Sequence, residues 1–185
     1  GDEKAMRAMT AETLVRMEKL KQLSVEGKME QVIEWIQDIL DQDEKLVVFC
    51  IHHSAIDKLM DTFKDVAVKL DGRTTQSDRQ KAVDAFQEDE KVHLFVGNIK
   101  AAGTGITLTA ASIAAFVEIA WTPGEHDQAM DRIHRIGQKE SCNIYYLVGM
   151  DTIEDDMALL LDSKRQVLTA VLNGEAPEDQ SLVWE

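Results

Sequence analysis

Five short, mostly apolar runs, each bounded by polar turns and followed or preceded by a helical pattern, restrict this chain to very few folds. They are Leu46–Ile51, Val66–Leu70, Val92–Val96, Ala114–Ile119 and Ile144–Val148. Runs without strict alternation describe strands buried on both faces, and such strands belong to parallel sheets covered by helices. The intervening stretches carry helix-start signals instead of hairpin turns. Ser54 with Asp57, Thr75 with Asp78, and Asp151 with Glu154 each pair a capping side chain with an acid three residues on, and Thr122 is followed by Pro123. The expected fold is α/β, three-layered, with a mainly parallel sheet of five or more strands.

Helices flank this body. Residues 5–23, with Leu14, Met17 and Leu20 among many charges, predict a peripheral helix that breaks over Ser24–Lys28. A second helix, Met29–Leu40, places Met29, Val32, Ile33, Ile36 and Leu40 at helical spacing. The last helix, near Thr152–Leu172, stops at Gly174 and leaves an acidic tail containing Pro177. The expected division is a helical extension over 1–27, a body over 28–174 and a tail over 175–185. A chain of 185 residues suits one such domain, and its start at Gly1 instead of Met reads as a piece of a longer protein.

No apolar run reaches the roughly 18 residues of a membrane span, and the charged first twenty residues are no signal peptide. Cys50 and Cys142, far apart in apolar-looking stretches, read as small buried side chains in a reducing compartment: the cytoplasm of a prokaryote or the nucleus of a eukaryote. Thirty-four acids against twenty bases give a net charge of −14, which repels phosphate at long range. Any contact with nucleic acid must therefore be local and weak for this chain alone.

Open α/β sheets bind ligands at the carboxyl ends of their strands. The loop after Val92–Val96 reads Gly97-Asn98-Ile99-Lys100-Ala101-Ala102-Gly103-Thr104-Gly105. Its small residues let backbone amides approach a phosphate or sugar, or simply make a tight strand-to-helix connection. It lacks the Gly-Lys-Ser/Thr ending of a P-loop. In Gln128–Gln138, helical spacing puts Gln128, Asp131, Arg132 and Arg135 on one side and Ala129, Met130, Ile133 and Ile136 on the other. Two guanidiniums from adjacent turns of an anchored helix suit a spread phosphate charge; paired with the chain's many acids they would be ordinary surface ion pairs. Neither a metal site nor a Ser-His-Asp arrangement is supported. His52 and His53 are adjacent, His126 and His134 lack partners at ligand spacing, and Asp43-Glu44 precedes a strand where a magnesium-binding pair would end one.

The string Gln128-Ala129-Met130-Asp131-Arg132-Ile133-His134-Arg135-Ile136-Gly137-Gln138 resembles motif six of the SWI/SNF helicase-related family in helicase superfamily two. Ala101–Ala111 resembles its motif five, Val47–His53 its motif four, and Leu70-Asp71-Gly72-Arg73-Thr74 with Arg79 the segment after it. Trp121-Thr122-Pro123-Gly124 is similar to the approach to motif six. The resemblance covers about residues 28–172, and Asn98 and Thr107 depart from commoner residues as in the annealing-helicase and fork-remodeler branch.

This resemblance implies the C-terminal RecA-like lobe of an ATP-dependent DNA translocase, a hydrolase whose two lobes close over ATP and magnesium. The N-terminal lobe, the implied partner, holds the metal; this lobe, a monomer with no membrane partner, supplies arginines. The implied catalytic residues are Arg132 and Arg135, with Gln128, Gly103, Thr104 and Gly105 near the nucleotide. The implied DNA contacts are His53, Ser54, Gly72, Arg73, Thr74, Arg79, Asn98 and Lys100. Two other classes compete. A self-sufficient nucleotide or cofactor enzyme needs a phosphate loop and a catalytic base, neither of which is evident. A non-catalytic protein-interaction domain on a RecA-like fold explains the acidic surface but not paired arginines beside a glycine loop.

Overall fold

The computed structural model describes residues 2–101, 105–135, 137–149 and 152–172, except the side chains of Asp2 and of residues 163–172. The elements in chain order are α1 (Asp2–Asp41), β1 (Leu46–Cys50), α2 (His53–Phe63), β2 (Ala67–Leu70), α3 (Gln76–Glu88), β3 (Leu94–Asn98), β4 (Ile113–Phe116), α4 (Pro123–Met130), β5 (Asn143–Tyr146) and α5 (Ile153–Leu172). All five strands are parallel, in the order β2-β3-β1-β4-β5. Leu46 of β1 stands level with Leu94 of β3 and Ile113 of β4.

The central strand explains the apolar runs. All five residues of β1 are buried, because consecutive side chains serve opposite faces. Val47 and Phe49 face α3 and α4, meeting Val83, Phe86, Ala129 and Ile133. Leu46, Val48 and Cys50 face α1 and α2, meeting Val32, Ile36, Ile56 and Leu59. Phe49, Phe116 and Tyr146 stack across three strands, with ring centroids 5.2 and 5.0 Å apart. The architecture is thus α/β and three-layered.

Two helical expectations change. Residues 2–41 form a single helix, so Ser24–Lys28 does not break it. Tertiary contacts override local propensity there. Val25 is buried in the core, and Ser24 donates to the Thr152 hydroxyl at 3.0 Å. Lys28 ends in a buried ion pair with Glu154 at 2.7 Å and also donates to the carbonyls of Val117 and Leu147. Burial lowers the Lys28 pKa while Glu154 opposes that effect.

The start of α2 also moves. The helix begins at His53 with His52 in the N-cap position, and no side chain caps it. Asp57, read as a partner of Ser54, is drawn away to Arg73. By contrast Thr75 caps α3, accepting from the Asp78 amide, and Pro123 opens α4 as expected. Cys50 and Cys142 are free thiols; Cys50 is buried, whereas Cys142 is only partly covered. Among the described residues no helix is long and apolar enough to cross a membrane. Asp151 and the 175–185 tail lie outside the described residues.

Candidate functional site

The sheet fixes where chemistry can sit. The chain leaves β1 toward the α1–α2 face and leaves β3 and β4 toward the α3–α4 face, so crevices flank the carboxyl end of β1. The implied DNA contacts cluster at this end of the sheet. His53 and Ser54 open α2, Gly72–Thr74 follow β2, Asn98 closes β3 and Lys100 lies just beyond it.

The loop after β2 is organised by the fully buried Asp71. Its carboxylate accepts from the Arg73 amide at 2.8 Å and from the guanidinium at 2.6 and 3.1 Å. The Asp71 amide donates to the Thr74 hydroxyl at 3.0 Å, closing the turn around exposed Gly72. The same guanidinium reaches α2, where it donates to both carboxylate oxygens of Asp57, at 2.7 and 3.1 Å. Burial works to raise the Asp71 pKa, but the hydrogen bonds from Arg73 prevail and hold it below the ordinary value of 3.8. Asp57 is lowered by the same guanidinium, which is itself pushed up.

Asn98 ties the exits of two strands. Its amide donates to the Ile51 carbonyl at 2.8 Å, and its oxygen accepts from the Lys100 and Ala101 amides at 2.9 and 3.2 Å. Arg79 of α3 donates to the Ala101 carbonyl at 3.2 Å. Lys100 is exposed, with its ammonium 3.9 Å from Glu125. His53, Ser54, Gly72, Lys100 and Arg73 thus face solvent, Arg73 while bonded to Asp57 and Asp71, whereas Thr74, Arg79 and Asn98 are partly buried and bonded within the fold.

The arginine segment departs from its helical expectation. Helix α4 ends at Met130, and residues 131–135 continue as turns, so the two guanidiniums do not project from adjacent turns of one helix. The segment is fastened instead to residues 106–111. Leu108 N–H donates to the Arg132 carbonyl at 2.8 Å, and Gln138 donates to the Ala111 carbonyl at 2.7 Å. Arg135 donates to the Ile106 carbonyl at 2.7 Å and to the Thr107 hydroxyl at 3.2 Å. Ala129 and Ile133 are fully buried beneath, as the apolar face of the string predicts. Arg132 is half-buried, whereas Arg135 and Gln128 are exposed. Gly105, also exposed, adopts φ +74°, a conformation that favours glycine. Gly103, Thr104 and Ile136 lie outside the described residues.

One group at this edge escaped the sequence reading. Glu118, just beyond β4, is fully buried and holds His52. The available signal was a lone acid in the otherwise apolar stretch Ile113–Ala120.

Comparisons with known proteins agree with the fold. The chain is 40% identical over 149 residues to the Xenopus tropicalis protein named SWI/SNF-related matrix-associated actin-dependent regulator of chromatin subfamily A-like protein 1, covering 78% of this chain and 16% of that protein. It is 36% identical over 159 residues to the Homo sapiens DNA annealing helicase and endonuclease ZRANB3, covering 84% and 15% respectively. The crystal structure of the C-terminal part of the Fun30 ATPase domain matches with a TM-score of 0.67 and 32% identity, over 73% of this chain and 45% of that one. The chain therefore spans about a sixth of these two relatives. Residues 10–137 match the model of the helicase conserved C-terminal domain, and the chain belongs to that family, in a form similar to the SWI/SNF-related proteins.

Proposed function

We propose that this chain is the second RecA-like lobe of a DNA-dependent ATPase, with the exposed outer part of α1 as an appendage to it. The observation that carries this reading is the fastening of Arg135 to Ile106 and Thr107, which sets an exposed guanidinium close in the chain's fold to Gly105. The donor offered there is a guanidinium, from which phosphate oxygens readily accept. ATP, bound between this lobe and an N-terminal one, supplies the phosphoryl group transferred to water.

Within that frame Arg135 leaves its carbonyl partner to meet charge developing on the transferred group, and Arg132 supports it from a half-buried position. Gln128 and Gly105 are assigned to the same junction. Magnesium is assigned to carboxylates of the N-terminal lobe. His53, Ser54, Gly72 and Lys100 meet the DNA backbone directly, while Arg73, Thr74, Arg79 and Asn98 shape the loops that do so.

The isolated chain lacks a P-loop lysine and is proposed to be inert. Measuring magnesium-dependent ATP hydrolysis by the purified chain, alone and mixed with a separately purified N-terminal lobe, tests this. Turnover is expected only in the mixture. Robust turnover by the chain alone overturns the reading.

A further inference from the structure

The crevice between the carboxyl ends of β1 and β4 is where a sheet of this kind ordinarily takes a ligand. Here the chain fills it with its own side chains. Glu118 accepts from the His52 backbone amide at 3.0 Å, and its second oxygen lies 2.5 Å from His52 Nδ1. The other ring nitrogen, Nε2, lies 2.5 Å from a carboxylate oxygen of Glu18 on α1. One imidazole is thus gripped from inside the fold and from an outer helix.

The grip has a reason and a consequence. A carboxylate as buried as Glu118 is costly unless paired, so it fixes His52 in place. His52 is the residue before α2, and its carbonyl accepts from the Ile56 amide at 3.3 Å. Fixing it therefore fixes the first turn of α2, which carries His53 and Ser54.

The same cluster also reaches the connection that leads into α4. Lys21, nearly one turn beyond Glu18 and 3.8 Å from it, lies over the Trp121 ring at 5.0 Å from the centroid. Trp121 directly precedes the Thr122–Pro123 start of α4, and Glu118 lies in the same connection. Helix α4 leads into the arginine segment. Glu18 and Lys21 consequently join the beginnings of two helices that leave the sheet on opposite sides.

From this arrangement we infer that the Glu18–His52–Glu118 bridge is a positioning device linking the start of α2 to the start of α4, so that seating DNA on His53 and Ser54 is felt at the arginine segment. This rests on the lobe function proposed above. A clasp that merely holds α1 to the sheet alters stability alone; a positioning device alters how strongly DNA stimulates turnover.

The experiment uses the two-lobed protein and compares Glu18→Gln, His52→Ala and His52→Gln with a control, Glu34→Gln, exposed elsewhere on α1. ATP turnover is measured with and without saturating duplex DNA, alongside a melting curve. Glu18→Gln and His52→Ala are expected to keep DNA-free turnover and lose at least about fivefold of the DNA stimulation, the lower range of coupling between sites. His52→Gln, which retains one donor toward Glu118, should recover part of the loss, and Glu34→Gln should behave as wild type. Undiminished stimulation in folded Glu18→Gln, whose partly exposed side chain leaves the interior untouched, overturns the inference. A wild-type protein without DNA stimulation refutes the lobe reading instead. The bridge is then judged by hydrogen exchange on the 185-residue chain carrying Glu18→Gln. Faster exchange at both 53–56 and 121–126 sustains the link; a change confined to α1 overturns it.

Discussion

Lys28 and Glu154, 126 residues apart in sequence, meet with the ammonium 2.8 and 2.7 Å from the two carboxylate oxygens, both side chains buried. Lys28→Ala should therefore destabilise the protein by about 3–5 kcal/mol, because it strands a buried carboxylate. Replacing both partners, Lys28→Met with Glu154→Leu, should recover much of that loss. Urea unfolding of the single and double variants measures it. A double variant no more stable than Lys28→Ala would mean that the carbonyl contacts of Lys28 matter more than its charge.

Arg73 supplies a pH-dependent increment. It lowers the pKa values of Asp57 and Asp71 in the folded state relative to 3.8. The unfolded chain then binds more protons as the pH falls, so this contribution is present above 3.8 and fades below it. Arg73→Gln should melt earlier than wild type at neutral pH, and the gap should narrow as the pH is lowered toward 3. Thermal melts at several pH values decide it; a constant gap would remove the ion pairs as its cause.

In the two-lobed protein, Arg135→Ala should depress turnover at saturating DNA by at least tenfold while changing nucleotide affinity little. Arginine fingers contribute about 10³–10⁵ in rate, acting where charge develops in the transition state. Because the side chain is exposed and its anchors Ala129 and Ile133 remain, the melting temperature should hold. Arg135→Lys should rescue poorly, since an ammonium cannot reproduce the planar fork. Near-wild-type turnover in folded Arg135→Ala would reduce this residue to a clasp on Ile106 and Thr107.

DNA binding by the chain alone should be weak and disappear at modest salt. A net charge of −14 leaves few cations to displace counterions, and Arg73 is already engaged by two carboxylates. Fluorescence anisotropy with labelled duplex across a salt series tests this. Submicromolar binding at physiological salt would require a basic patch not formed by Lys100 and its neighbours.

The strands were legible because burial on both faces writes itself directly into composition. Leu46–Cys50 needs no partner to be recognised. Thr75 and Pro123 were legible because capping is local. Long-range partners were hidden. Ser24 and Lys28 look like a helix break until Thr152 and Glu154 are set beside them. Spacing extended α4 through Gln138, but the helix ends at Met130 and residues 131–135 run on as turns, fastened by a hydrogen bond from Leu108. Arg132 and Arg135 were thus expected on a helix where the structure has turns. His52 was weighed as a metal ligand and as part of the Val47–His53 segment, but its carboxylate partners come from residues 18 and 118.

The unbroken α1 has a mechanical consequence. Forty residues at 1.5 Å each make a rod about 60 Å long. Its second half is seated through Val25, Met29, Val32 and Ile36, while residues 3–16 are exposed all round, Met6, Met9 and Val15 included. Such a rod is a lever whose fulcrum lies near Glu18 and Lys21. With an outer arm of roughly 25 Å, a tilt of about 8° sweeps the tip through about 3.4 Å, the rise of one base pair. A helix interrupted at Ser24–Lys28 would absorb that tilt in its joint. This one has no such joint.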